Sequence, residues 1–167
     1  GVFQVPEDRT QQAVEQALEA GYRHIDTAAA YYNEAGVGAA IRASGLPREE
    51  VFVTTKLRNG DHGYEEALAA FEASRTALRL DVVDLYLIHW PVPSKDRYVE
   101  TWRALEKLHA DGAVRAIGVS NFLPEHLERI ESETGVRPVV NQVEVHPYFP
   151  QVDALAVHAE RGILTEA

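Results

Sequence analysis

The sequence predicts an α/β fold with a parallel sheet, a (β/α)8 TIM barrel of which about seven strands and six helices are present, in one domain covering residues 1–167. Three observations lead to it. Short apolar runs alternate with amphipathic helical segments, and the connections are too long for hairpins but suit parallel crossovers. No Gly-x-Gly-x-x-Gly follows the first run, so the signature of a doubly wound dinucleotide fold is missing. Polar residues stand at the C-terminal end of nearly every predicted strand, where closed barrels place their chemistry.

Each element has its own justification. Residues 2–5, Val-Phe-Gln-Val, form the first apolar run. A helix over 9–20 follows, with Val14, Ala17 and Leu18 at helical spacing and Gly21 as its stop. Residues 23–27 form a strand, and 33–44 a helix ended by Gly45. The run 51–56 is β-branched and nearly continuous, as a buried parallel strand should be. A helix over 64–80 carries Leu68, Phe71 and Leu78, and a strand over 82–89 follows it. Helix 98–110 stops at Gly112. Strand 115–120, helix 124–134, strand 139–145, helix 152–161 and a last strand over 163–166 complete the series. No linker or low-complexity segment interrupts it.

Composition bounds the function. Apolar residues make up 46 % and charged residues 25 % of 167, the profile of an ordinary globular protein. A net charge of −10 argues against an extended nucleic-acid surface. With no cysteine, neither a disulfide framework nor a thiolate metal site can form. No apolar run reaches the roughly 18 residues of a membrane span, and no signal peptide is evident. A cytoplasmic location is the default expectation. The excess of arginine over lysine and the abundant alanine point to a bacterial source. The absence of methionine, the strand-like run at 163–167 and the roughly 250 residues of a complete barrel lead to the expectation of a partial barrel, without the end of strand seven, strand eight and the last two helices.

The chemistry sits at the predicted strand ends. One strand ends in Ile25-Asp26-Thr27 with Tyr31 just beyond, the next in Thr54-Thr55-Lys56, and the next in Ile88-His89-Trp90. Ser120 and Asn121 end another, and Asn141, Gln142, Glu144 and His146 lie along the sixth. Singly, each has an ordinary explanation. An Asp before a helix caps or turns, a loop Tyr packs, a Lys reaches solvent, and a strand His is a satisfied core group. Together at one barrel mouth they read differently. A lysine after a buried strand needs a carboxylate to stay charged, and Asp26 on the neighbouring strand can supply it. A phenol with a pKa near about 10 is a poor acid at neutral pH, and the expectation is that the Lys56 ammonium lowers it. His89 would position a substrate oxygen. Such a set protonates a developing alkoxide and suits carbonyl reduction by a hydride-carrying cofactor.

These residues fall in longer motifs. Gly21-Tyr22-Arg23-His24-Ile25-Asp26-Thr27-Ala28 with Tyr31-Tyr32-Asn33-Glu34 resembles the aldo-keto reductase signature. So do Asp84-Leu85-Tyr86-Leu87-Ile88-His89-Trp90-Pro91, Ile117-Gly118-Val119-Ser120-Asn121-Phe122 and Asn141-Gln142-Val143-Glu144-Val145-His146-Pro147, in family order along the whole chain. The nearest resemblance is to the bacterial subgroup similar to 2,5-diketo-D-gluconate reductase. It implies an NADP-dependent enzyme reducing small aldehydes or ketones, usually a monomer. Tyr31 would be the proton donor, supported by Asp26 and Lys56, with His89 orienting the carbonyl. Ser120, Asn121 and Gln142 would hold the nicotinamide carboxamide, as a hydroxyl and two amides can. Val2, Phe3 and Asp26 would also meet the cofactor, and Phe3, His89 and Trp90 the substrate.

Two positions depart from the family pattern. Tyr32 replaces a usual Gly, and Arg58 a frequent Trp, which is expected to alter the substrate wall. The adenosine 2′-phosphate loops after strands seven and eight, and the N-terminal hairpin that plugs the barrel floor, are expected to lie outside the chain. Two other classes of function compete. A metal-dependent hydrolase would use His24, His89 and His146, but no His-Glu-x-x-His spacing occurs, so no metal is expected. A non-catalytic barrel fragment or binding subunit would need no acid, yet all four reactive residue types are present.

Overall fold

The computed structural model describes residues 1–167. The chain runs α1 (Glu7–Glu19), β1 (His24–Asp26), α2 (Glu34–Ala43), β2 (Phe52–Leu57), α3 (Tyr64–Leu78), β3 (Val83–Ile88), α4 (Tyr98–Ala110), β4 (Val114–Ser120), α5 (Pro124–Glu133), β5 (Val140–Gln142), α6 (Val152–Arg161) and β6 (Leu164–Glu166). All six strands are parallel and lie in sequence order in one sheet. The sheet curls strongly enough to bring His24 Nε2 on β1 to 4.0 Å from Glu166 Oε1 on β6. No helix is long and apolar enough to cross a membrane.

The strand period of two sorts the side chains. Val53 and Leu57 of β2, Tyr86 and Ile88 of β3, and Ile117 and Val119 of β4 belong to the main core between sheet and helices. Leu85, Leu87 and Val140 form a small cluster on the opposite, inner face. Gly118 makes room for that cluster: a Cβ there would lie 2.5 Å from Val140 Cγ1 and 2.8 Å from Leu87 Cδ2. At the N-terminal end of the sheet, buried Asp84 joins three strands. It accepts from the Val53 amide (2.9 Å) and pairs with Arg48 (2.6 Å) and Arg115 (2.9 Å).

Two expectations need correction. Residues 2–5 are not a strand, so six strands form rather than about seven. Val2 gives one ladder-like bond, its amide to the Asp26 carbonyl (3.0 Å), and then Gln4 turns into the left-handed region (φ 61°). Pro6, with no N–H to donate, follows and caps α1. The expected strand 139–145 is only Val140–Gln142, because pairing with β6 runs out and a loop begins towards Pro147. The helices fall within about two residues of their expected bounds, the usual uncertainty of frayed ends.

Candidate active site

The inner-face alternation that sorts the core also assembles the site. Asp26, Lys56, Ser120 and Gln142 all lie at C-terminal strand ends, in a register that pairs Asp26 with Thr54, Lys56 with Leu87, Leu87 with Gly118, and Ser120 with Gln142. Lys56 is fully buried. Its Nζ donates to both Asp26 oxygens (2.8 Å each) and to the Thr27 carbonyl (2.9 Å), and it lies 3.4 Å from the Tyr31 hydroxyl. Tyr31 comes from a short 3-10 turn, Ala29–Tyr31, with its ring against Phe3 (5.1 Å between centroids) and His89 (5.7 Å).

Asn33 sets that turn. Buried completely, it accepts from Thr27 Oγ1 (2.7 Å) and donates to the carbonyls of Val2 (3.0 Å) and Val5 (3.2 Å). It thereby ties the N-terminal arm, and so Phe3, to the mouth. Sequence reading quoted Asn33 in a motif but gave it no task. An Asn at the start of a helix, just after the turn that carries Tyr31, was the available signal.

Electrostatics depart from expectation at Tyr31. Its pKa is not lowered but pushed up to about 12, first by burial and then by the Asp26 carboxylate. Lys56 sits closer to Asp26 than to the phenol, so the carboxylate neutralises most of its field at the hydroxyl. Burial pushes the Lys56 pKa down, and Asp26 pulls it back. His89 is pushed down to about 4 by burial and then by Lys56, so it is neutral at pH 7. At neutral pH the phenol therefore holds its proton and the imidazole offers one N–H.

These groups open on a cavity of about 750 Å3. Phe3, Asp26, Tyr31, His89, Trp90, Ser120, Asn121 and Gln142 all line it, as does Glu144 from the sixth predicted strand, together with residues the sequence did not flag, among them Gly1 and Ala30. Val2 does not line it; its side chain is in the main core, and only its backbone reaches Asp26. Arg58 is also absent from the wall. It pairs with Asp61 (2.9 and 3.2 Å) and lines a separate cleft beside Tyr32 and Glu34. Tyr32 itself takes a left-handed φ of 56°, a conformation natural to glycine. His24 bonds Thr54 (2.8 Å) and His146 lies on an exposed loop with Glu144 (3.0 Å). No three His, Asp or Glu side chains converge as a metal site.

Ser120, Asn121 and Gln142 on the far side of the mouth are the residues that could hold a primary carboxamide. Asn121 Nδ2 donates to the His89 carbonyl (3.0 Å) and Ser120 Oγ (3.0 Å), and Gln142 Nε2 donates to Asp26 Oδ2 (3.0 Å). Asn121 Oδ1 and Gln142 Oε1 make no protein hydrogen bond, so two acceptors remain for a primary amide's N–H groups.

Comparison with known proteins identifies the family and the fold. The chain is 56 % identical over 167 residues to an aldo-keto reductase of Mycolicibacterium smegmatis, covering all of this chain and 61 % of that relative. The crystal structure of an aldo/keto reductase from Brucella melitensis superposes with a TM-score of 0.97 at 55 % identity, over 100 % of this chain and 65 % of that one. A variant of Gox0644 solved in complex with NADPH gives 0.95 at 49 % identity, over 100 % and 60 %. The six strands are thus part of a (β/α)8 barrel, and the chain spans about three fifths of the length of such relatives. The model of the Aldo/keto reductase family matches residues 2–165, nearly the whole chain, and the chain belongs to that family.

Proposed function

We propose that the protein is an NADP(H)-dependent reductase that converts small aldehydes or ketones to alcohols, with Tyr31 as the general acid. The observation that carries this reading is the cluster Asp26–Lys56–Tyr31–His89: a buried ammonium on a carboxylate, 3.4 Å from a protonated phenol, beside a neutral imidazole. The NADPH-bound relative supports the choice of cofactor. When bound, the cofactor supplies the hydride. Ser120, Asn121 and Gln142 hold its carboxamide, and Phe3 and Trp90 wall the cavity where the substrate enters.

The chain's own residues handle the proton. His89 donates one N–H to the carbonyl oxygen and orients it. As negative charge develops on that oxygen, Tyr31 Oη gives up its proton, because an alkoxide is a stronger base than a phenolate even at a pKa of about 12. The resulting phenolate lies beside the Lys56 ammonium, which favours the charged product of the transfer more than the neutral start. Asp26 keeps Lys56 charged through this step.

The test is loss of NADPH absorbance with a panel of small aldehydes and ketones, run on the protein at its full natural length. Failure of a folded preparation to turn over any of them would sink the reading.

A further inference from the structure

Behind the mouth, on the helix side of the sheet, lies a buried polar chain that the reaction does not use. Asn141 on β5 is completely buried, and His158 on α6 nearly so. Asn141 Nδ2 donates to the Phe122 carbonyl (2.9 Å), and its Oδ1 accepts from the Phe122 amide (3.4 Å). The same Nδ2 lies 2.9 Å from His158 Nε2. A carbonyl can only accept, so the amide nitrogen must face Phe122, and Nε2 must accept its second proton. The ring proton then sits on Nδ1, donating to Thr165 Oγ1 at 2.8 Å. Burial, which lowers the His158 pKa, agrees with a neutral ring.

What this chain holds is the corner after β4. Phe122 directly follows Asn121, whose backbone is left-handed (φ 62°). Asn121 gives its amide to the Gln142 carbonyl (2.9 Å) and its side chain to the His89 carbonyl (3.0 Å). A non-glycine residue persists in that conformation only when its surroundings over-determine it. Asn141 supplies part of that hold, and His158 accepts its second amide proton, which keeps the side chain seated against Phe122.

We propose that His158 is a positioning residue: through Asn141 it holds the Asn121–Phe122 corner in the shape that presents Ser120, Asn121 and Gln142 to a nicotinamide carboxamide. This rests on the reading of those three residues as the carboxamide site. A leucine at 158 fills the space without an acceptor, and a glutamine restores one.

Backbone amide exchange, with and without NADP+, tests it in the protein at its full natural length and in its His158→Leu and His158→Gln variants. In His158→Leu, exchange at Asn121 and Phe122 should rise at least about ten-fold, the scale of one lost buried hydrogen bond. The amides of β2 should be unchanged, and His158→Gln should return most of the protection. The NADP+-induced shifts at Ser120, Asn121 and Gln142 should need a higher NADP+ concentration in His158→Leu. Unchanged exchange at the corner overturns the proposal. So does an equal rise throughout the sheet, which would mean a purely structural role. If wild type shows no NADP+ shift at those three amides while the corner still loosens, the carboxamide reading falls and the clamp stands. Should His158→Leu fail to fold, Thr165→Val decides. It removes the acceptor of the His158 Nδ1 proton, and a smaller rise confined to the same two amides is expected; none overturns the proposal.

Discussion

At the residue scale, Tyr31→Phe is the sharpest change available. It deletes one hydroxyl and keeps the ring packed on Phe3 and His89. Carbonyl reduction should fall at least about 100-fold, the lower range for a lost general acid, with the thermal midpoint nearly unchanged. Near-normal turnover would mean another group gives the proton. Asp26→Asn acts differently, leaving the fully buried Lys56 without its counter-charge. Breaking a buried pair on one side costs about 3–5 kcal/mol, so denaturant unfolding should show a large loss, and a midpoint matching wild type would contradict the pairing. That Asp26, Lys56 and His89 would meet at one mouth was legible in the sequence because strand ends of a parallel barrel converge, and Tyr31 follows Asp26 closely enough to join them. The direction of the Tyr31 shift was not. It turns on whether Lys56 lies nearer the carboxylate or the phenol, and spacing along the chain does not carry that distance. Arg58 and Val2 were misjudged for a related reason. Each is at the right position for the mouth, but a partner, Asp61 in one case and the core in the other, draws the side chain away.

At the element scale, close approach governs the helices. A Cβ at Gly38 in α2 would lie 2.1 Å from the Leu78 carbonyl oxygen at the end of α3. Backbone cannot yield as a side chain can, so Gly38→Ala should part the two helices and cost about 1–3 kcal/mol or more, as overpacking does. Urea unfolding measures it, and a stabilised variant would show that α2 and α3 do not meet this closely. Helices and central strands were legible because β-branched runs and periodic apolar positions match elements that bury a whole face. Residues 2–5 carry the same apolar signal, but strand formation needs a neighbour along their length. Gln4 turns the chain away after a single bond, and nothing in the local pattern marks that turn.

For the whole molecule, pH is the broadest lever. His62 is buried with no well-formed hydrogen bond at either ring nitrogen, and its pKa is pushed down to about 4, first by burial and then by Lys95. The folded state therefore binds its proton less readily than the unfolded state, whose histidine titrates near about 6.5. Stability from this group is full above that pH and falls as pH drops towards about 4, by up to about 1.4 kcal/mol per pH unit. Urea midpoints at pH 7.5 and 5 should differ in wild type and differ less in His62→Phe; equal pH dependence in both would assign the effect elsewhere. The residues 1–167 alone should bind NADPH more weakly than micromolar, because neutral carboxamide contacts give only about 0.5–1.5 kcal/mol each; calorimetry showing micromolar binding would contradict this. The bond from Gln142 to Asp26 links positions 116 residues apart and brings β5 to β1 across the curled sheet. During synthesis on a ribosome, Asp26 and Lys56 are both available once β2 has emerged. Gln142 arrives only after four of the six strands are already out. The order of synthesis thus brings out the Asp26–Lys56 pair early and Gln142 late, so of the two bonds to Asp26 the one that joins β5 to β1 is the later to become possible.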